Sequence, residues 1–305
     1  MPGRALPLEG ETSATLIDPV LAWYASEQRD LPWRRPGTSP YAVLVSEVML
    51  QQTPVARVLG PWQAWVERWP DAAALAGAPA GEAVRAWGRL GYPRRALRLH
   101  AAAVACVERH GGELPLTVAT LEELPGVGRY TARAVAAFAH RQRVPVVDTN
   151  VRRVLARAVE GVAEGPAVVT TADLARVEAL LPADPELAAT ASVAVMELGA
   201  LVCVARSPRC PRCPLLARCA WQRAGRPPAS GPPRRGQTYA GTDRQCRGRL
   251  LGVVREAAGP VPTAVVEAVW DEPVQRARAL AGLLADGLLR AVPGGAYALP
   301  GVGDA

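Results

Sequence analysis

The stretch Leu124-Pro125-Gly126-Val127-Gly128-Arg129-Tyr130-Thr131-Ala132 (LPGVGRYTA) lies between two runs of helical periodicity, 117–123 and 129–141. Glycines at 126 and 128 permit a tight turn and leave backbone N–H groups unused at the start of the second helix. A helix start of that kind attracts anions, and a nucleic-acid phosphate suits it well. Read alone, PGVG suits an ordinary helix–turn–helix corner equally, so the decision passes to what surrounds it.

Outward from this turn, residues 16–182 read as Ala-, Leu-, Val- and Arg-rich helical blocks punctuated by Pro and Gly. Ser39 and Pro40 form an N-cap and first-turn pair opening a helix over 41–52. Further helices are expected over 55–69, 83–87, 95–109, 151–159, 172–180 and 187–201, and strand-like alternation is scarce. The class is all-α. Residues 1–222 read as one helical region, and 223–238, from the Pro-, Gly- and Arg-rich run QRAGRPPASGPPRRGQT that begins at Gln222, read as a linker. Beyond it, helical stretches over 243–257, 263–270 and 273–289 precede AVPGGAYAL, a two-strand wing turning at Gly294-Gly295. Residues 239–305 thus suggest a small winged-helix-like module.

The chain has 305 residues, of which 50% are hydrophobic, with a mean hydropathy of +0.06, enough for roughly two domains with real cores. No apolar run reaches membrane-span length and the N-terminus lacks a signal-peptide pattern, so a cytoplasmic monomer with no membrane partner is the expectation. Thirty-five basic residues against 28 acidic give a net charge of +7 and a pI near 9.5, which favours a polyanionic partner. Every basic residue is arginine. With no lysine in the chain, no lysine Schiff base can form.

Four of the six cysteines, Cys203, Cys210, Cys213 and Cys219, follow the spacing C-x6-C-x2-C-x5-C, while Cys106 and Cys246 read as ordinary small apolar residues. Four thiols so placed, without a secretion signal, point to a metal site; zinc and an iron–sulfur cluster both accept them, and the single C-x2-C hook leans towards the cluster. No acidic residue lies between Glu197 and Asp243, where Arg206, Arg209, Arg212, Arg218, Arg223, Arg226, Arg234 and Arg235 fall. The linker arginines read equally as a solvated stretch; those in the cysteine loops suit phosphates better.

Two carboxylates stand out. Asp148, in VVDTN (146–150), suits a plain helix N-cap, and Asn150 is the sole asparagine of the chain. Glu47 shares a helix face with Val43, Leu44, Leu50 and Gln51. A carboxylate held on such a stripe has its pKa raised and suits a general acid; turned to an arginine at the stripe's edge, it is only structural.

Taken together, LPWR (31–34), SEVMLQQT (46–53), LGY (90–92), LPGVGRYTA, VDTNVRRVL (147–155), MELGALVC (196–203) and the cysteine spacing resemble the MutY-type adenine DNA glycosylases of the helix–hairpin–helix superfamily. The resemblance covers about residues 15–222. It implies a six-helix barrel domain carrying the hairpin and an iron–sulfur domain holding a [4Fe–4S] cluster on the four cysteines. The implied activity is excision of adenine mispaired with 8-oxoguanine or guanine in double-stranded DNA. Glu47 matches the family's general acid, protonating adenine at N7, and Asp148 the aspartate that stabilises the oxocarbenium-like sugar, overriding the plain-cap reading. Tyr130 and Asn150 match supports of the sugar and intermediate. Arg34, Gln51 and Glu197 match the adenine pocket, and Gln52, Thr53 and Tyr92 the wedge that opens the duplex. Gly126 and Gly128 match the phosphate-binding hairpin. Endonuclease III-type relatives carry a nucleophilic lysine where Tyr130 stands, so the resemblance implies a monofunctional enzyme. Thr149 and Pro93 depart from the common family residues. Residues 223–305 are too short for the Nudix-like domain many relatives use to read 8-oxoguanine. A thymine- or uracil-directed mismatch glycosylase and a non-catalytic iron–sulfur DNA-binding protein are the rival readings; the first has no purine N7 for Glu47 to protonate, and the second has no use for Glu47 and Asp148 together.

Overall fold

The computed structural model describes residues 10–165, 168–229 and 239–302. Arg234, Arg235 and most of the expected linker lie outside the described residues. The chain is helical, as expected, and forms two compact units that interleave along the sequence.

The first unit comprises 1–43, 116–119 and 128–232. Its helices are α1 (Gly10–Glu27), α8 (Arg129–Phe138), α9 (Thr149–Ala158), α10 (Thr171–Leu180), α11 (Pro185–Leu201) and the short α12 (Ala220–Arg223). Helix α9 shows why: its apolar residues fall at Val151, Val154, Leu155 and Ala158, one face of a helix, and all are buried. That face meets Val20 and Tyr24 of α1 and Ala194 and Leu198 of α11, while Ile17, Val177 and Leu180 extend the same core. Helix α10 opens on a capping box, Thr170 and Asp173 exchanging hydrogen bonds.

The second unit comprises 44–115, 120–127 and 233–305. It holds α3 (Val55–Arg68), α4 (Ala72–Ala76), α5 (Ala80–Trp87) and α6 (Arg94–His110), with Trp65, Trp69 and Trp87 stacked edge-on. Helix α2 (Pro40–Leu50) crosses from one unit to the other in sequence and is buried from Tyr41 to Met49; Ser39 caps it, its Oγ accepting from Ala42 N at 3.2 Å. It stops at Leu50, two residues before the sequence-based limit, because Gln52 takes a left-handed backbone, φ +54°. The helix expected to reach residue 141 ends at Phe138, where the backbone N–H of His140 and of Gln142 turn back to Val135 and Ala136. Helix α4, five residues held by an Asp71 cap, is too short to produce a periodic signal.

The C-terminal module folds as α13 (Asp243–Glu256), β1 (Val261–Pro262), α14 (Thr263–Glu267), α15 (Pro273–Ala285), β2 (Arg290–Val292) and β3 (Ala296–Ala298). The strands form an antiparallel sheet in the order β1-β3-β2, with Val261 opposite Tyr297 and Arg290 opposite Ala298. This is the winged-helix order, with a first strand of two residues that no alternation could reveal. Helix α15 ends earlier than the sequence suggests, at a Gly287 turn (φ +68°) with N–H bonds from Leu288 to Leu283 and from Gly287 to Leu284.

Candidate active site and cysteine loop

In the hairpin, Gly126 takes φ +78°, and a Cβ there would meet the Arg98 Cβ at 2.5 Å, so only glycine fits on both counts. Gly128 is the N-cap of α8 and supplies no side-chain acceptor to its first turn. Tyr130, half-buried in that turn, packs on the Ala134, Ala137 and Val146 cluster.

Asp148 is the N-cap of α9. Its Oδ1 accepts from Asn150 N at 2.8 Å and Val151 N at 2.7 Å, and its Oδ2 accepts from Asn150 Nδ2 at 2.8 Å. Asn150 Oδ1 accepts in turn from Arg153 Nη2 at 2.7 Å. Arg153 then donates to Gly199 O (2.7 Å) and Cys203 O (2.6 Å). One polar chain therefore runs from the Asp148 carboxylate through Asn150 and Arg153 to the backbone of the first cysteine of the loop. Burial pushes the Asp148 carboxyl above the usual carboxylate range, against the N–H donors of Val151 and Asn150 and the charge of Arg153. Gly199 makes the chain possible: a Cβ on it would come within 2.7 Å of the Asn150 Cβ.

Glu197 is fully buried on α11. Arg29 grips it in a fork, Nε to Oε1 and Nη2 to Oε2 both at 2.7 Å, with the Arg29 N–H adding a third bond at 3.1 Å. Arg34 Nη2 donates to Oε2 at 3.0 Å. Burial alone would raise the carboxyl; the Arg29 and Arg34 donors overcome it and hold it down at about 2. Tyr24 hydrogen-bonds Arg34 from α1, and burial pushes its phenol up. Arg34 Nη1 is buried with no hydrogen-bond partner among the described residues.

Glu47 is 7% exposed, in the middle of a helix buried from Tyr41 to Met49. Beyond the end of that helix, Arg95 forms a staple. It donates to the carbonyls of Val48 (2.8 Å), Met49, Gln51 and Gly91 (3.1 Å) and to Thr53 Oγ1 (3.2 Å). The guanidinium thus meets the carbonyl end of α2, where its charge is favourable, and pins the Gln51–Gln52–Thr53 turn to the Gly91–Tyr92 turn. Thr53 is buried in this network, whereas Gln52 and Tyr92 are exposed. Both have left-handed backbones, with φ +54° and +49°.

The four loop cysteines carry no disulfide; Cys210 and Cys219 are buried, Cys203 and Cys213 half-buried. Burial pushes the Cys213 thiol up to about 11, with Cys203, Cys219 and Cys210 close enough to add to the shift. Arg157 is buried beside them, donating to Cys203 Sγ at 3.5 Å and Val204 O at 2.8 Å and lying over the Trp221 ring at 4.8 Å. Cys219 Sγ donates to Arg157 O at 3.4 Å. Among the described residues, no three His, Cys, Asp or Glu side chains converge on the spacing of a single metal ion. Arg206, Arg209, Arg212 and Arg218 are all exposed around the loop, Arg212 pairing with Glu27. Cys106 and Cys246 are fully buried apart from this group, as small apolar residues.

Sequence reasoning missed Arg29, Arg95, Arg153 and Arg157. Arg29 stands just ahead of the LPWR motif and was open to notice; the other three act on carbonyls or side chains that only folding brings near.

Residues 45–167 match the model of the HhH-GPD superfamily base excision DNA repair proteins. The chain is 58% identical over 285 residues to an adenine DNA glycosylase of Mycobacterium tuberculosis, covering 93% of each. It is 56% identical over 291 residues to one of Mycolicibacterium smegmatis, covering 94% of this chain and 98% of the other. A solved thermostable thymine-DNA glycosylase superposes with a TM-score of 0.65 at 24% identity over 72% of this chain and all of that one, a likeness of fold.

Proposed function

Because the chain belongs to the adenine DNA glycosylases of the HhH-GPD base excision repair superfamily, we propose that it removes adenine mispaired with 8-oxoguanine or guanine, using Glu47 as acid and Asp148 as the stabilising anion. The chain is a DNA glycosylase acting on adenine in DNA.

The observation that carries the reading is the Asp148 carboxylate, partly desolvated yet held rigid by its N–H donors. An anion short of water is stabilised when positive charge develops beside it, so an oxocarbenium-like sugar relieves in the transition state what burial imposes before it. Asn150 fixes the carboxylate, and Arg153 fixes Asn150. Glu47, buried at 7%, would deliver a proton to adenine N7, turning the base into a neutral leaving group. Arg34 is assigned to the base, its orphaned Nη1 being a donor in need of an acceptor. Glu197, with both oxygens already taken, acts through Arg34 as a positioning residue. Tyr130 is assigned to the sugar and Gln51 to the adenine. Gln52, Thr53 and Tyr92 are assigned to the parting of the strands, and the Gly126–Gly128 turn to a phosphate. With no lysine available, the enzyme stops at base release.

Four thiols in one loop, none in a disulfide and backed by a buried arginine, fit an iron–sulfur cluster. Cys203, Cys210, Cys213 and Cys219 would hold it, and when bound it supplies covalent cross-links that organise the loop. No helix among the described residues is long and apolar enough to cross a membrane.

Base release from duplexes carrying adenine opposite 8-oxoguanine, adenine opposite guanine, thymine opposite guanine and uracil opposite guanine tests the reading. Adenine should leave the first two only. Glu47→Gln should lower that release by about 10²–10⁴-fold while leaving duplex affinity intact. Turnover at the wild-type rate would remove Glu47 from the mechanism.

A further inference from the structure

We propose that Arg157 is the internal counter-ion of the group held by Cys203, Cys210, Cys213 and Cys219, and that its buried charge sets the reduction potential of that group. The proposal rests on the iron–sulfur reading above.

Arg157 is 4% exposed, in the last turn of α9. Its donors spread over the cysteine loop. Nε donates to Ala163 O at 3.0 Å, Nη1 to Val204 O at 2.8 Å and to Cys203 Sγ at 3.5 Å, and Nη2 to Ala205 O at 3.1 Å. Its own carbonyl lies 3.4 Å from Cys219 Sγ. One residue thus touches both the first and the last cysteine of the spacing. The Trp221 ring lies 4.8 Å from the guanidinium, a cation–π contact, and is itself fixed by its Nε1, which donates to Pro227 O at 2.9 Å.

Missing from this set is a carboxylate. Among the described residues, the partners of the Arg157 guanidinium are carbonyls, a sulfur and an indole ring. Arg153, one turn earlier, differs, because the negative charges of Asp148 and Glu164 both act on it. Carbonyls satisfy N–H groups but do not cancel the charge they carry, and a charge buried without its opposite is costly. The cost is recovered when an anion stands where the guanidinium points. An iron–sulfur core held by four thiolates carries net negative charge, and Arg157 points at one of those sulfurs. Arg206, Arg209, Arg212 and Arg218 are exposed, so water and salt screen them from this role. A buried cation and an N–H donor to a ligating sulfur both favour the more electron-rich state, which raises the potential. The same attraction resists loss of the iron.

The test is protein-film voltammetry of the full-length, iron-loaded protein, with iron and sulfide analysis of every sample. Arg157→Gln removes the charge and keeps an N–H donor. Its potential should move to more negative values, and it should hold iron about 10–100-fold less tightly against a chelator. Arg157→Lys keeps the charge and should stay near the wild type in both. Arg218→Gln removes an exposed charge beside Cys219 and should leave the potential in place. Iron kept by Arg157→Lys but lost from Arg157→Gln supports the proposal as well. A wild-type potential in Arg157→Gln, an equal shift in Arg218→Gln, or loss of iron from both Arg157 variants would overturn it. Wild-type protein free of iron and sulfide would instead overturn the iron–sulfur reading, which keeps the two failures apart.

Discussion

Asp148 is both a helix cap and the assigned anion, and the two demands pull its carboxyl in opposite directions. Capping N–H groups favour the charged form, while burial disfavours it and prevails, so the native pKa lies above the unfolded one. The native protein then keeps this proton at pH values where the unfolded chain has lost it, and stability declines as pH climbs from the ordinary carboxyl range of about 4 through the raised native value. Glu197 works in the opposite sense. Held at about 2, it contributes stability that is complete above its unfolded value and lost as pH falls towards about 2. Asp148→Asn keeps an N-cap oxygen and removes the charge. It should fold with a melting temperature within a few degrees of wild type, lose adenine release by about 10²–10⁴-fold, and flatten the decline of stability above pH about 4. Denaturant unfolding across pH, paired with single-turnover base release, measures both. A wild-type pH slope in the variant would mean another group titrates there.

Between α9 and α11, the polar chain from Asp148 survives only because Gly199 lets the helices approach. Gly199→Ala forces a Cβ into the Asn150 backbone and should cost about 1–3 kcal/mol, with adenine release falling further than duplex affinity because Asn150 shifts. Urea unfolding and single-turnover rates check it; unchanged rates would detach Asn150 from the chemistry. This approach also marks how far the sequence could be read. Helices such as α9 and α11 were legible because one-sided apolar spacing or sustained apolarity over ten or more residues survives without knowledge of the fold. The ends were less so: Gln52 and Arg141 adopt left-handed backbone at positions with no glycine to announce it. Glu47 on its greasy stripe and Asp148 ahead of α9 were visible as local pattern. The Arg95 staple was not, since all its acceptors but Gly91 O lie more than forty positions upstream, at the end of α2 and in the turn after it.

At the level of the whole molecule, each unit is assembled from separated lengths of chain. Residues 1–43 join 128–232, and 44–115 join 233–305. In the first unit, the cysteine loop closes against α9 through Arg157, Arg153 and Trp221. Cys213→Ser should therefore lower bound iron and acid-labile sulfide, bleach the visible absorbance and depress the melting temperature of the unit that carries Asp148. Iron and sulfide at wild-type content would exclude Cys213 from the ligand set.

The carbonyl of Pro300 seated on Gly81 has a bearing on how this protein comes into being. The contact joins stations about two hundred positions apart, so the unit holding Glu47 stays unsealed until residue 300 has been made. A chain released before that point would have every assigned side chain in place but would leave Gly81 of α5 without Leu299 and Pro300 against it. Proteases and chaperones would meet that gap first, so quality control of the nascent chain inspects this closure before any nucleotide does.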